Sequence, residues 1–174
     1  MTTYKETNGT NIEILSEDPA NPVQGQIWYN TDSSTLKGLG YVATGAWASG
    51  GNLNTARARL GGSGTQTSAL GYGGNPSNTR TESYNGSSWT ELNNLNNGRY
   101  DVGAAGASNT SALAFGGNPT SAHTETWNGT NWTELNNLNT ARTELSGTGV
   151  ATSALAFGGN PNRNETELWN GSNW

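Results

Sequence analysis

Ten residues near the middle of this chain, TSALGYGGNP at 67–76, come back almost unchanged as TSALAFGGNP at 110–119 and again at 152–161, offset by 43 and then 42 residues. A second string keeps the same offsets: TESYNGSSW at 81–89, TETWNGTNW at 124–132 and TELWNGSNW at 166–174. TELNNLN follows both Trp89 and Trp132, and Arg57, Arg99 and Arg142 each lie ten residues after Trp47, Trp89 and Trp132. The one-residue difference falls between Arg99 and Thr110, where a loop absorbs an insertion. A fixed period decides an architecture before any local propensity does, so three equivalent units are expected to fold alike.

Within one period, SALAF alternates or runs apolar over five residues before Gly-Gly, and TETW alternates polar and apolar before Asn-Gly, a strong turn dipeptide; both read as strands. The stretch after each Arg is small and Gly-rich (GGSGT, GAAGA, SGTGV), as an inner strand crowded around a central channel requires. WTEL, running into Asn-Asn, reads as a short outer strand. The period therefore predicts four short strands per unit, an all-β chain.

Composition has to be reconciled with that pattern. Leu, Ile, Val and Phe together number only 23 of 174 residues, a level that suggests disorder when net charge is high. The net charge here is only −5, while seven Trp and six Tyr supply large buried area per residue and 25 Gly supply tight turns. Cysteine is absent, which excludes a disulfide framework and a thiolate metal site. Eight Lys and Arg against thirteen Asp and Glu form no basic cluster, so nucleic acid is not an expected partner. No run of 18 apolar residues exists, and the first residues read neither as a secretory signal nor as a transit peptide. Membrane insertion is not expected, and synthesis in a host cytoplasm is. The Asn-x-Ser/Thr triplets at Asn85, Asn128 and Asn170 read as turns.

The order Arg, hydrophobic strand with Gly-Gly, Glu-x-aromatic, Trp resembles the kelch repeat. Arg57, Gly73-Gly74, Glu82, Tyr84 and Trp89 carry it in the first unit, Arg99, Gly116-Gly117, Glu125, Trp127 and Trp132 in the second, and Arg142, Gly158-Gly159, Glu167, Trp169 and Trp174 in the third. The resemblance implies β-propeller blades, three of them over residues 45–174, with the ring incomplete in this chain because propellers usually have four to eight blades. Either the polypeptide continues past Trp174, or two or more chains share a ring. The period is shorter than in many kelch units, and the heavy use of Asn, Thr and Ser resembles repeat proteins of phages.

Residues 1–44 do not fit the repeat. Asp18, Pro19 and Pro22 favour an extended segment. VQGQIWYN, TDSST and LKGLGYV then read as a hairpin with Ile27 and Tyr29 on one face and Trp28 on the other. NPVQGQIWYNTDSSTLKG resembles a short module of phage tail and fibre proteins that precedes a variable distal domain, which implies attachment to other virion proteins or trimerisation. Ile27, Trp28 and Tyr29 are the attachment candidates. The alternative is a hairpin that caps the edge of the repeats.

Recurrence argues for architecture rather than catalysis, because a catalytic site needs unlike groups at one place. The repeated Arg, Glu and Trp are therefore expected to be framework. His123 is the single histidine, so no His pair for a metal and no Ser-His-Asp set is evident. The copper-radical oxidases among kelch propellers need several His and a Cys, and sialidase-type propellers need an Asp box that the Asn-Gly turns lack. No enzyme activity, metal or cofactor is expected. The variable stretch of each unit follows Gly-Gly-Asn-Pro: Ser77, Asn78, Thr79 and Arg80; Thr120, Ser121, Ala122 and His123; Asn162, Arg163, Asn164 and Glu165. Variable loops on a constant scaffold are where repeat proteins place recognition, although exposed loops also drift without purpose. The expectation is a phage virion protein of a tail, fibre or collar, a homo-oligomer, whose repeats are structural or bind a host surface glycan or protein. The alternatives are an intracellular kelch-type adaptor and a carbohydrate-active propeller enzyme.

Overall fold

The computed structural model describes residues 3–5, 11–22, 25–39, 47–76 and 79–174. Val23, Gln24 and residues 40–42 of the expected hairpin, and the loop candidates Ser77 and Asn78, lie outside the described residues. The chain divides into two compact units, Met1–Ala48 and Ser49–Trp174. Every regular element among the described residues is a strand.

The first unit holds β1 (Thr3–Lys5), β2 (Asn11–Leu15), β3 (Ile27–Asn30) and β4 (Thr35–Gly38), in the order β1-β2-β3-β4. The expected hairpin is β3 and β4, paired from Ile27 with Gly38 to Asn30 with Thr35. The expectation of an extended segment and hairpin alone is corrected, because β2 adds to β3 in parallel and β1 adds to β2. Alternation in NIEIL makes β2 a strand in its own right, and a parallel partner needs a crossover of a dozen or so residues, which 16–26 supply. The described residues therefore form four sheets, one more than the repeats account for.

Asp18 fixes that crossover. Its carboxylate accepts hydrogen bonds from Trp28 Nε1 at 3.0 Å and Asn30 Nδ2 at 2.7 Å and pairs with Lys37 Nζ at 2.7 Å. These donors, Lys37 foremost, hold the Asp18 pKa down at about 2. Because side chains alternate along β3, Trp28 and Asn30 turn inward while Ile27 and Tyr29 face solvent.

In the second unit each repeat is one antiparallel meander. The first comprises β5 (Gly61–Thr65), β6 (Ser68–Tyr72), β7 (Thr81–Tyr84) and β8 (Trp89–Leu92). The second comprises β9 (Gly103–Ser108), β10 (Ser111–Phe115), β11 (Thr124–Trp127) and β12 (Trp132–Leu135). The third comprises β13 (Ser146–Val150), β14 (Ser153–Phe157) and β15 (Thr166–Trp169). The small-residue strands are the first of each sheet, and β9 lies alongside both β5 and β13. That approach explains their composition: a Cβ on Gly147 of β13 would sit 2.6 Å from the Ala104 carbonyl oxygen of β9.

The core lies between successive sheets. Leu70 and Tyr72 of β6 pack with Leu95, Val102, Trp127 and Trp132, and one repeat later Leu113 and Phe115 of β10 pack with Leu138, Leu145 and Trp169, with Trp174 against them. Fully burying an aromatic or aliphatic side chain is worth about 1.5–3 kcal/mol, so each sheet-to-sheet contact carries much of the stability of this unit.

Candidate functional site

The framework expected of the repeated charges is visible in each unit. Arg57 pairs with Glu82 at 3.2 Å, Arg99 with Glu125 at 3.0 Å and Arg142 with Glu167 at 2.8 Å, all nearly excluded from solvent. The Glu125 carboxylate also accepts Asn96 N at 2.8 Å, Asn96 Nδ2 at 2.9 Å and Asn97 N at 3.3 Å, so it ties the segment leaving one sheet to the third strand of the next. Asn54 and Asn139 make the same bonds to Glu82 and Glu167. Burial lowers the pKa of the Arg57 and Arg99 guanidinium groups, opposed by the facing carboxylates.

A meander sorts its connections by end. The tight turns between first and second and between third and fourth strands fall at one end of each sheet. The loops between second and third strands, and the segments leading to the next sheet, fall at the other. That second end carries the variable stretches. Its loops are stitched down by backbone bridges from Ala58 to Asn75, Tyr100 to Asn118, Thr143 to Asn160 and Ser121 to Arg142. Gly74 N and Gly117 N donate across to the carbonyls of Arg99 and Arg142, at 3.1 and 2.9 Å.

The candidate residues divide into anchored bases and open tips. Thr79 and Ala122 offer their carbonyls to Leu95 N and Leu138 N, at 2.8 and 2.9 Å. Ser121 Oγ accepts His123 N at 3.0 Å. Arg80 pairs with Glu91 and His123 Nδ1 meets Glu134 Oε1 at 2.9 Å, both with exposed side chains bridging third and fourth strands. Arg163 pairs with Glu165 at 3.1 Å, and the Glu165 carbonyl accepts Arg142 Nη1 at 2.8 Å. The Glu165 carboxyl is held below its ordinary pKa, mainly by its own backbone N–H and then by Arg163. Thr120, Asn162 and Asn164 are exposed.

Three residues that the sequence reading passed over complete this end. Arg59, Asp101 and Glu144 occupy the same position in successive repeats, two residues after the framework arginine, and all three have left-handed backbones, with φ of 60°, 54° and 57°. Arg59 Nε donates to Asp101 Oδ1 at 2.9 Å, and Arg59 Nη2 lies 3.4 Å from Glu144 Oε1. The backbones are linked as well, Asp101 N donating to Arg59 O at 2.9 Å and Glu144 N to Asp101 O at 3.2 Å. The Arg59 guanidinium lies over the Tyr100 ring, 4.9 Å from its centroid. A shared position with changing charge was the signal available in the sequence.

Glu144 also lines a polar depression of about 260 Å³ with Gly159, Asn160 and Asn162, which brings one variable loop to the charged cluster. Farther in, the small residues of β5, β9 and β13 line a groove of about 220 Å³. This end of the unit can offer amides, hydroxyls and one guanidinium with two carboxylates to a polar ligand. Among the described residues no three of His, Cys, Asp and Glu converge as a metal-binding group.

Of the attachment candidates, Ile27 and Tyr29 are exposed, 41% and 36%, and available to a partner. Trp28 is 6% exposed and already committed to Asp18 within its own unit. No protein-family model matches the chain, and neither does any curated protein.

Proposed function

We propose that the second unit is a set of β-propeller blades serving as a recognition or structural module of a phage virion, and that the first unit attaches it to other virion proteins. The observation that carries the recognition half is the contrast within one end of the sheets. Identical buried Arg–Glu pairs hold every repeat in place, while the side chains they present there differ from repeat to repeat: Arg59, Asp101 and Glu144, and the open tips at Thr120, Asn162 and Asn164. Side-by-side small-residue strands are what supports the propeller arrangement. The assignment to phage rests on the kelch-like repeat and on the resemblance of NPVQGQIWYNTDSSTLKG to tail and fibre modules. A polar, amide-rich face suits a host glycan or a protein surface.

Composition of purified particles tests the reading. The full chain should be found in virions, and a chain lacking residues 1–48 should keep its β-rich circular dichroism yet be missing from them. Incorporation of the shortened chain at normal copy number would refute the attachment role.

A further inference from the structure

Four dipeptides among the described residues are Asn-Gly, and the fold treats one of them differently from the other three. Asn85-Gly86, Asn128-Gly129 and Asn170-Gly171 make the equivalent turn of each repeat. In each, the Asn Oδ1 accepts two backbone N–H groups: Ser87 and Ser88 at 2.9 and 3.0 Å, Thr130 and Asn131 at 2.9 Å, and Ser172 and Asn173 at 2.9 Å. Each turn is closed again by the Asn backbone N–H, which donates to the carbonyl of Ser88, Asn131 or Asn173. Asn97-Gly98 stands instead in the connection from β8 to β9, where the first and third repeats carry Thr55-Ala56 and Thr140-Ala141. The half-buried Asn97 gives its backbone N–H to Glu125 Oε1 at 3.3 Å, but its side-chain amide bonds to no described residue, and the Gly98 N–H donates to none.

An Asn-Gly pair carries both partners of a self-reaction. The Gly nitrogen, once its proton is lost, attacks the Asn Cγ. The new N–Cγ bond closes a succinimide ring as the Cγ–Nδ2 bond breaks, and ammonia leaves with that proton. Glycine offers the least hindered nitrogen because it has no Cβ. Water then opens the ring at either carbonyl. Opening at Cγ leaves aspartate, and opening at the former main-chain carbonyl leaves isoaspartate, with the main chain rerouted through Cβ and Cγ. One water is consumed, one ammonia is released and no electrons are transferred.

We propose that Asn97 is a site of spontaneous modification: its unbonded amide, next to the undonated N–H of Gly98, converts to aspartate and isoaspartate, while Asn85, Asn128 and Asn170 are held back by their turns. Cyclisation in a turn must first break both bonds to Oδ1, which slows it by about tenfold or more relative to an amide without them. At Asn97 no such bond is lost. Its position gives the change a consequence for the frame. The backbone N–H groups of Asn96 and Asn97 both donate to the Glu125 carboxylate, and Arg99 pairs with it at 3.0 Å. A carboxylate on residue 97 brings a second negative charge to the neighbourhood of Glu125. Isoaspartate adds one carbon to the main chain between the N–H of residue 97 and Arg99, two groups that must reach the same carboxylate. Either product loosens the tie between the segment leaving β8 and the β11 strand of the next sheet.

Peptide mapping by mass spectrometry tests this on the folded 174-residue chain, stored in mildly alkaline buffer and sampled over time. The mass gain of amide-to-acid conversion should accumulate at Asn97 at least about tenfold faster than at Asn85, Asn128 or Asn170. In the urea-unfolded chain the four sites should convert at comparable rates, because the order is set by hydrogen bonds of the fold. Asn97→Asp should lower the urea midpoint of the protein. Asn97→Thr with Gly98→Ala, the pair that the other two repeats carry, should keep the wild-type midpoint and stop its decline on storage. An Asn97 that converts no faster than the turns in the folded chain, or a preference for Asn97 that persists unchanged in urea, would overturn the assignment of the site. An Asn97→Asp midpoint equal to that of wild type would overturn its link to the frame.

Discussion

Replacing Glu125 by Gln removes the charge from the most heavily bonded carboxylate of the framework. Glu125 is fully buried and takes two donors on each oxygen: Asn96 N and Nδ2 on Oε2, and Arg99 Nη2 and Asn97 N on Oε1. A glutamine amide fits only one of those oxygens, so its NH2 faces two donors it cannot accept. Arg99, 1% exposed, also keeps its charge with no counter-ion. Breaking a buried ion pair from one side costs about 3–5 kcal/mol, a large share of the roughly 5–15 kcal/mol that keeps a domain folded. Glu91→Gln removes an equally formal pair, with Arg80, but an exposed one, and should cost about 0–1 kcal/mol. Urea unfolding followed by tryptophan fluorescence would measure both, provided the slope with denaturant is unchanged. Arg99→Met combined with Glu125→Leu should cost less than Glu125→Gln, since no unpaired charge is left behind. A Glu125→Gln protein within about 0.5 kcal/mol of wild type would refute the reasoning.

Three further perturbations probe other parts of the account. Gly116 has φ of +64°, and a Cβ there would lie 2.7 Å from Leu145 Cδ2 and 2.8 Å from Arg142 O; Gly116→Val should cost at least about 1–3 kcal/mol by thermal or urea unfolding, and an unchanged melting temperature would count against the packing described. Trp132→Phe leaves the buried Thr81 hydroxyl without its donor and should cost roughly 1–3 kcal/mol, whereas Trp47→Phe, at a fully exposed ring, should change melting little. Asp18 has a depressed pKa, so its contribution to the first sheet is fully present above the ordinary aspartate value and is lost as pH falls through about 2; carboxyl NMR should give a midpoint near 2, and Asp18→Asn should abolish that acid transition. A midpoint near 4 would contradict the hydrogen bonds assigned to Trp28, Asn30 and Lys37.

What could be read from the sequence followed from local constraints repeated three times. GGSGT, GAAGA and SGTGV are strands because neighbouring strands leave no room for side chains, and residues such as Gly147 record that crowding directly. SALAF and TETW announce themselves through apolar runs and Asn-Gly turns. Parallel pairing of β2 with β3 escaped the reading because it joins segments across an intervening crossover, with no turn dipeptide to mark it. The loop candidates were half legible: variability located the connections between second and third strands but could not separate Ala122, whose carbonyl is occupied, from Thr120, whose side chain is open. Arg59, Asp101 and Glu144 were missed because a position that changes sign between repeats looks like drift until backbone geometry puts the three side by side. Trp28 does lie opposite Ile27 and Tyr29 on its strand, but its capture by Asp18, which takes it out of the attachment surface, depends on a segment ten residues earlier.

The central claim is that a constant buried frame presents a variable polar end for recognition. Its most direct test is host adsorption by particles carrying Asp101→Ala together with Thr120→Ala and Asn162→Ala. The account predicts normal copy number of the chain in the particle, an unchanged β-rich fold, and adsorption reduced at least about tenfold, the loss of about 1.4 kcal/mol of binding. Adsorption equal to wild type at equal copy number would contradict it and leave the repeats a purely structural element.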